Sequence, residues 1–182
     1  RNAPSRKKEK PMNLETARLR LEPYHDSHYE GLRVMDNDSG VMRYINNGIV
    51  KTPEETWEGI RRVQARWDKY GFSWWAIVEK ASGAIVGAAC LQYLANVEGA
   101  PLENGWRLAP AHNGKGYATE AAKAIVDFAT ERVGATYLVA VADPENIPSQ
   151  RVMQRLGMTY KAVEQHYDVP CVVYELNIGR SE

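Results

Sequence analysis

Residues 112–122 read HNGKGYATEAA, with Gly114 and Gly116 on either side of Lys115 just before an alanine-rich helix former. Glycine at a helix start gives up conformational order and offers no side chain to pack, so this spacing points to a backbone that is needed bare. The first N–H groups of a helix have no intrahelical partner, and the helix dipole makes that end positive. A glycine-rich turn lets an anion, above all a phosphate, approach them closely. The predicted donors run from Asn113 through Gly114, Lys115, Gly116 and Tyr117 to Ala118, and the Lys115 side chain adds a charge. A tight strand-to-helix turn that merely uses glycines is the competing reading.

Two familiar phosphate loops fail here. The ATP-type loop needs G-x-x-x-x-G-K-[ST], whereas Gly116 is followed by Tyr117. The dinucleotide fingerprint needs G-x-G-x-x-G, and Thr119 stands where its third glycine belongs. A nucleotide-binding enzyme is therefore the weakest of the functional readings.

Other reactive side chains are sparse. His25 and His28 stand three apart without a carboxylate or cysteine cluster, which reads as surface histidines rather than a metal site. Cys90 and Cys171 lie in apolar strand-like runs without zinc or redox spacing, and are expected to be buried, reduced thiols of a cytoplasmic protein. With 23 basic and 23 acidic residues the net charge is zero, which argues against a bulk electrostatic grip on nucleic acid. No apolar run approaches the ~20 residues of a membrane span, and no secretory segment is expected at the N-terminus. Residues 1–12, with the basic opening RNAPSRKKEKP, are expected to be a disordered tail or a vector-derived remnant rather than a nucleic-acid arm, with Met12 as natural start.

The elements that must carry the loop follow from periodicity. ARLRLEPY (17–24) alternates as a strand, and HDSHYEGLRVMDND reads as a short helix. The 52–71 stretch predicts a helix capped by Thr52 with Pro53 in its first turn, Glu55 at the capping-box position and Gly71 as its stop. A hairpin turning at Ser82-Gly83 and a strand over 103–110 follow. After the loop come a helix to about Arg132, a strand over 136–143, a helix over 146–157 and two final strands. The expectation is one α+β domain over 13–182, with a mixed, mostly antiparallel twisted sheet of about seven strands and about four helices.

Several segments in this order carry a resemblance. LAPxxxGKGYATEA, then NxxSxRVMxxLGM, together with ETARLRLEPY, VMRYI, WAIVEKASGAIVGAACL, ENGWRLAP and VVYEL, resemble the GNAT superfamily of acetyl-coenzyme A-dependent N-acetyltransferases. The branch they resemble contains the bacterial ribosomal-protein N-terminal acetyltransferases, and the likeness spans about residues 14–178. The family's pyrophosphate loop, [QR]-x-x-G-x-[GA], falls on Asn113 to Ala118, with Asn113 departing from its first position. The resemblance implies acetyl-coenzyme A as co-substrate and no metal.

Acetyl transfer from a thioester to an amine needs an amine freed of its proton, a donor for the carbonyl and stabilisation of the leaving thiolate. The resemblance places carbonyl and pantetheine contacts on the N–H groups of Leu108 or Ala109, at a strand end that Pro110 cuts short. It makes Glu103 the candidate base, against a solvated glutamate in an exposed linker. The tyrosine many relatives use to protonate the thiolate is replaced by Met153, which leaves Ser149 as the hydroxyl on that helix, for thiolate or cofactor. Asn146 is a cofactor contact or a plain N-cap.

The acceptor is expected to be a primary amine: a peptide N-terminus, a polyamine or a small molecule such as an amino acid or aminoglycoside. Trp57, Trp67, Trp74, Trp75 and Trp106 are candidates to line its cleft, with Tyr44 at the border, against a reading of most of them as core, since Trp57 and Trp67 fall on an apolar helix stripe. A non-catalytic acetyl-coenzyme A sensor or scaffold is the alternative, motivated by Met153. No membrane or nucleic-acid partner is expected, and a homodimer is the default assembly.

Overall fold

Leu19 and Leu21 are fully buried, while Arg20 and Glu22 point the other way and pair at 2.8 Å. That alternation builds β2 (Leu19–Pro23), preceded by the two-residue β1 (Leu14–Glu15), in a computed structural model that describes residues 11–179. The chain continues through α1 (Tyr29–Asp36), α2 (Ser39–Met42), α3 (Pro53–Tyr70), β3 (Trp74–Glu79), β4 (Ile85–Tyr93), β5 (Leu102–Leu108), α4 (Tyr117–Phe128), β6 (Tyr137–Ala142), α5 (Ile147–Arg155), β7 (Thr159–His166) and β8 (Val169–Asn177). The Thr52–Glu55 capping box is present in both directions, and Gly71 closes α3 at a φ of 77°.

One sheet holds eight strands in the order β1-β2-β3-β4-β5-β6-β8-β7. All neighbours are antiparallel except β5 and β6. The expected count of about seven strands and four helices misses β1 and α2, which are two and four residues long. Elements that short carry no period to read. The expected tail falls on residues outside the described range, apart from Pro11 and Met12. Met12 belongs to the fold, since its carbonyl accepts from Trp75 Nε1 at 3.0 Å and its side chain packs on the core.

The parallel pair sets where the sheet opens. β5 and β6 are in register only at Leu102–Leu138 and Glu103–Val139. Beyond Glu103, β5 stays bonded to β4 but loses β6, so the sheet opens into a wedge. The α4 crossover covers one side: Ala118 and Ala122 let the helix sit close to Trp106, Leu108 and Val152 of α5. On the other side α1 and α3 bring Leu32, Met35 and Ile60 onto Ala88 and Ala109.

Both cysteines are free and buried. His28, expected at the surface, is instead 6% exposed. Its Nδ1 accepts from the His25 N–H and its Nε2 lies 3.0 Å from Glu22, so the pair closes a local turn ahead of α1. Among the described residues no helix is long and apolar enough to cross a membrane.

Candidate active site

Gly114 and Gly116 adopt φ of 77° and 80°, a left-handed backbone that glycine takes at little cost. A Cβ on Gly114 would meet nothing, so conformation rather than crowding selects glycine there. Gly116 caps α4 without any side-chain bond, and the first helical bond runs from Glu120 N–H to the Gly116 carbonyl. The N–H groups from Gly114 through Thr119 donate to no described residue. The expected range starts one residue early, because the Asn113 N–H is taken by the Pro110 carbonyl at 3.3 Å. Asn113 keeps only its exposed side chain as a possible contact.

The Tyr117 ring turns inward, its hydroxyl bonded to Glu79 and the Arg18 guanidinium 4.5 Å above it, so Tyr117 offers the loop its backbone alone. Lys115 Nζ rests 3.3 Å from His112 Nδ1. Thr119 Oγ1 is buried in the first turn with no partner. A bare N–H cradle at a helix start, an orphaned hydroxyl and one lysine without an acidic partner among the described residues fit a pyrophosphate.

Strand alternation settles which β5 amides face the wedge. The Ala109 N–H donates to the Val86 carbonyl at 2.8 Å, so Ala109 is not the free donor it was expected to be. Residue 109 therefore belongs to a bonded pair with β4, and positions 107, 105 and 103 repeat that pattern along the register. The intervening N–H groups of Leu108 and Trp106 face the side that β6 has left. Leu108 stays a candidate; Trp106 was not anticipated, because register is invisible in sequence. On α5, Asn146 Oδ1 accepts from the Ser149 N–H at 3.3 Å, the plain N-cap. The half-buried Ser149 hydroxyl bonds no described residue. Met153 is 1% exposed and packed against Ala140 and Tyr174.

Glu103 sits where the wedge begins and is 5% exposed, not a solvated strand end. Trp74 Nε1 donates to Gln92 Oε1 at 3.1 Å, and indole can only donate, which fixes the Gln92 amide orientation. Gln92 Nε2 then donates to Glu103 Oε1 at 3.0 Å and to the Tyr167 hydroxyl at 3.0 Å. Tyr167 also accepts from the Ala95 N–H at 3.2 Å, so its own proton points to Glu103 Oε1 at 2.5 Å. Oε1 is thus occupied by two donors, and Oε2 is the atom left to take a proton. Burial pushes the Glu103 carboxyl above its ordinary range, and the bonds from Tyr167 and Gln92 pull it part of the way back. Burial beside Glu103 keeps the Tyr167 phenol protonated.

Tyr167 was missed by sequence reasoning. It and Asp168 form the β7–β8 turn at φ of 53° and 62°, where Asn-Gly would be expected. A bulky residue held left-handed was the available signal, but positive φ shows only in the structure.

A cavity of about 310 Å³ opens beside Glu103 on the α1 and α3 side, and Tyr44, Trp74, Trp106 and Tyr167 are among its walls. Trp67 and Trp75 are core, and Trp57 stacks on Tyr29 at 4.3 Å. Arg107 crosses the cavity floor to Asp36, Nη1 to Oδ1 at 2.7 Å, and Asp36 Oδ2 accepts from Thr56 at 2.8 Å.

The sequence matches the Acetyltransferase (GNAT) domain over residues 18–159. The chain belongs to the GNAT acetyltransferase family. An Aspergillus fumigatus relative, FsC-acetyl coenzyme A-N(2)-transacetylase, is 30% identical over 86% of this chain and 69% of its own. The structure of a GNAT acetyltransferase from Bacillus anthracis superposes with a TM-score of 0.77 at 25% identity, covering 91% of this chain and 98% of that one. RimL, a ribosomal L7/L12 acetyltransferase solved with coenzyme A, shares the fold at 16% identity with a TM-score of 0.77, over 92% and 98% of the two chains. The GNAT reading therefore covers the fold and the reaction class: this is an acetyl-coenzyme A-dependent acetyltransferase, in the family the sequence resembles.

Proposed function

We propose that the protein transfers an acetyl group to a primary amine by direct attack, with both substrates meeting at Glu103. The observation that carries this is the position of Glu103 at the last paired residue of β5 and β6, where the cofactor wedge and the acceptor cavity join. Acetyl-coenzyme A supplies the thioester: the amine nitrogen gains the acetyl group, the carbon–sulfur bond breaks, and the thiolate takes up a proton.

The chain's own residues orient and move protons around that exchange. The N–H groups of Gly114 through Thr119 hold the pyrophosphate, with Lys115 and the Asn113 side chain beside them. The Leu108 and Trp106 N–H groups bind the arm and the acyl oxygen in the wedge. Glu103 Oε2 accepts a proton from the acceptor ammonium, directly or through water, while Tyr167 and Gln92 hold Oε1 still. Ser149 is the hydroxyl left to bond the thiolate, since Met153 has no proton to give, and the Asn146 amide flanks the same helix start. Positioning of two bound substrates supplies much of the rate. Two buried free thiols are consistent with a cytoplasmic setting.

The test is free-thiol release from acetyl-coenzyme A with and without amines. Amine-dependent release supports the reading. Stabilisation by the cofactor without turnover on any amine overturns it in favour of a sensor or scaffold.

A further inference from the structure

The acceptor cavity is electrostatically two-ended. One end holds Glu103, the carboxylate proposed to take the amine's proton. Its other wall carries Lys51, Arg62 and Arg107 around a single buried carboxylate, Asp36. Asp36 is fully engaged: one oxygen pairs with Arg107 and the other accepts from Thr56. Lys51 and Arg62 form no ion pair with a described residue. Glu55, the other acid near Lys51, is committed to the α3 cap through Thr52. Arg66, one helical turn beyond Arg62 on the same side of α3, also lines the cavity.

Such a cluster works against itself in the unliganded protein. Lys51 is half-buried, and desolvation first, with Arg107 and Arg62 adding to it, lowers its hold on its proton despite Asp36. An anion between Lys51 and Arg62 would remove that repulsion and gain charge-assisted hydrogen bonds. A polycation would increase it.

We infer that the acceptor is a small primary amine that also bears an anionic group, a carboxylate or a phosphate, held by Lys51 and Arg62 while its amine reaches Glu103. This rests on the acetyl-transfer reading above and narrows its substrate class away from polyamines and aminoglycosides. The cavity volume, about 310 Å³, suits a small molecule.

Matched acceptor pairs test it: amino acids against their amides, phosphoethanolamine against ethanolamine, with spermidine and kanamycin as polycations. Thiol release is expected to show a KM about tenfold lower for the anionic member, the size of one charge-assisted contact. The pair that shows it tells carboxylate from phosphate. Lys51→Met and Arg62→Ala should each shrink that difference and leave the KM for acetyl-coenzyme A unchanged. Equal or better use of the neutral or polycationic amines by the unmodified protein overturns the inference and leaves acetyl transfer standing. Absence of thiol release from every amine overturns acetyl transfer itself. In that case calorimetric titration of the same pairs into the coenzyme A-bound protein decides, and binding no tighter for the anionic members refutes the anion site.

Discussion

The Tyr167 hydroxyl donates to Glu103 Oε1 at 2.5 Å across 64 positions of sequence, binding the tip of the C-terminal hairpin to the edge of the sheet opening. That bond gives the buried Glu103 carboxylate a fixed partner, as the proposed role of base requires. It occupies one carboxylate oxygen, favours the charged form and leaves the second oxygen for the substrate.

Glu103→Gln should lower kcat by on the order of 10²-fold or more, the usual contribution of a general base. In the unmodified enzyme the kcat/KM profile should rise with pH along a limb lying above the ordinary carboxylate range, because burial raises this carboxyl. The variant should lack that limb. A limb unchanged by the substitution would assign the titration to another group.

The same shift makes a stability statement of opposite sense. A carboxyl whose folded pKa is raised binds more protons folded than unfolded, so stability falls as pH rises from the unfolded value through the folded one. Glu103→Gln should therefore melt higher than the parent near neutral pH, and the gap should close in acid. Thermal melts across pH check this, and a variant that melts lower near neutrality would contradict the burial argument.

Tyr167→Phe removes a donor to the carboxylate and should move the kcat/KM limb to higher pH while retaining turnover. Gln92 still bonds Oε1, so the loss is partial. A limb that stays in place would show that Tyr167 only closes the turn.

Gly116→Ala forces a left-handed Cβ and should cost ~1 kcal/mol of stability while raising the KM for acetyl-coenzyme A. Gly83 in the β3–β4 hairpin has a φ of 74° with nothing near an added Cβ, and at Gly116 the Cβ would meet only Arg18 Nη2 at 3.5 Å, an ordinary contact, so Gly83→Ala should carry a similar stability cost with no change in that KM. Parallel effects on KM would remove the loop from cofactor binding.

Asp36→Ala leaves the buried Arg107 guanidinium without its partner and should lose about 3 kcal/mol in urea unfolding. Burial alone would raise Asp36, but Arg107 and Thr56 outweigh it and hold the carboxyl low. Its contribution is present at neutral pH and lost as acid reaches that lowered value. A loss within about 0.5 kcal/mol, the usual effect of a surface change, would mean that water reaches the pair.

Local signals carried much of this in the sequence. The capped 52–71 helix, the alternating strands and the Gly114–Gly116 loop are each short-range patterns with a physical cause, and each stands where it was expected. The proposed base was legible as a residue but not as an environment. Glu103 is enclosed by Gln92 from β4, Trp74 from β3 and Tyr167 from a distant turn, and no local pattern brings those together. Register explains the other errors: which of Trp106, Leu108 and Ala109 has a free amide depends on pairing with β4, and a one-residue slip would invert the answer.

The most direct test of the account is thiol release from acetyl-coenzyme A by the parent and by Glu103→Gln, with and without an anionic primary amine. The account predicts release only when the amine is present, and a loss on the order of 10²-fold in the variant while acetyl-coenzyme A still raises the melting temperature of both. Equal release by parent and variant, or cofactor binding without release on any amine, would contradict it.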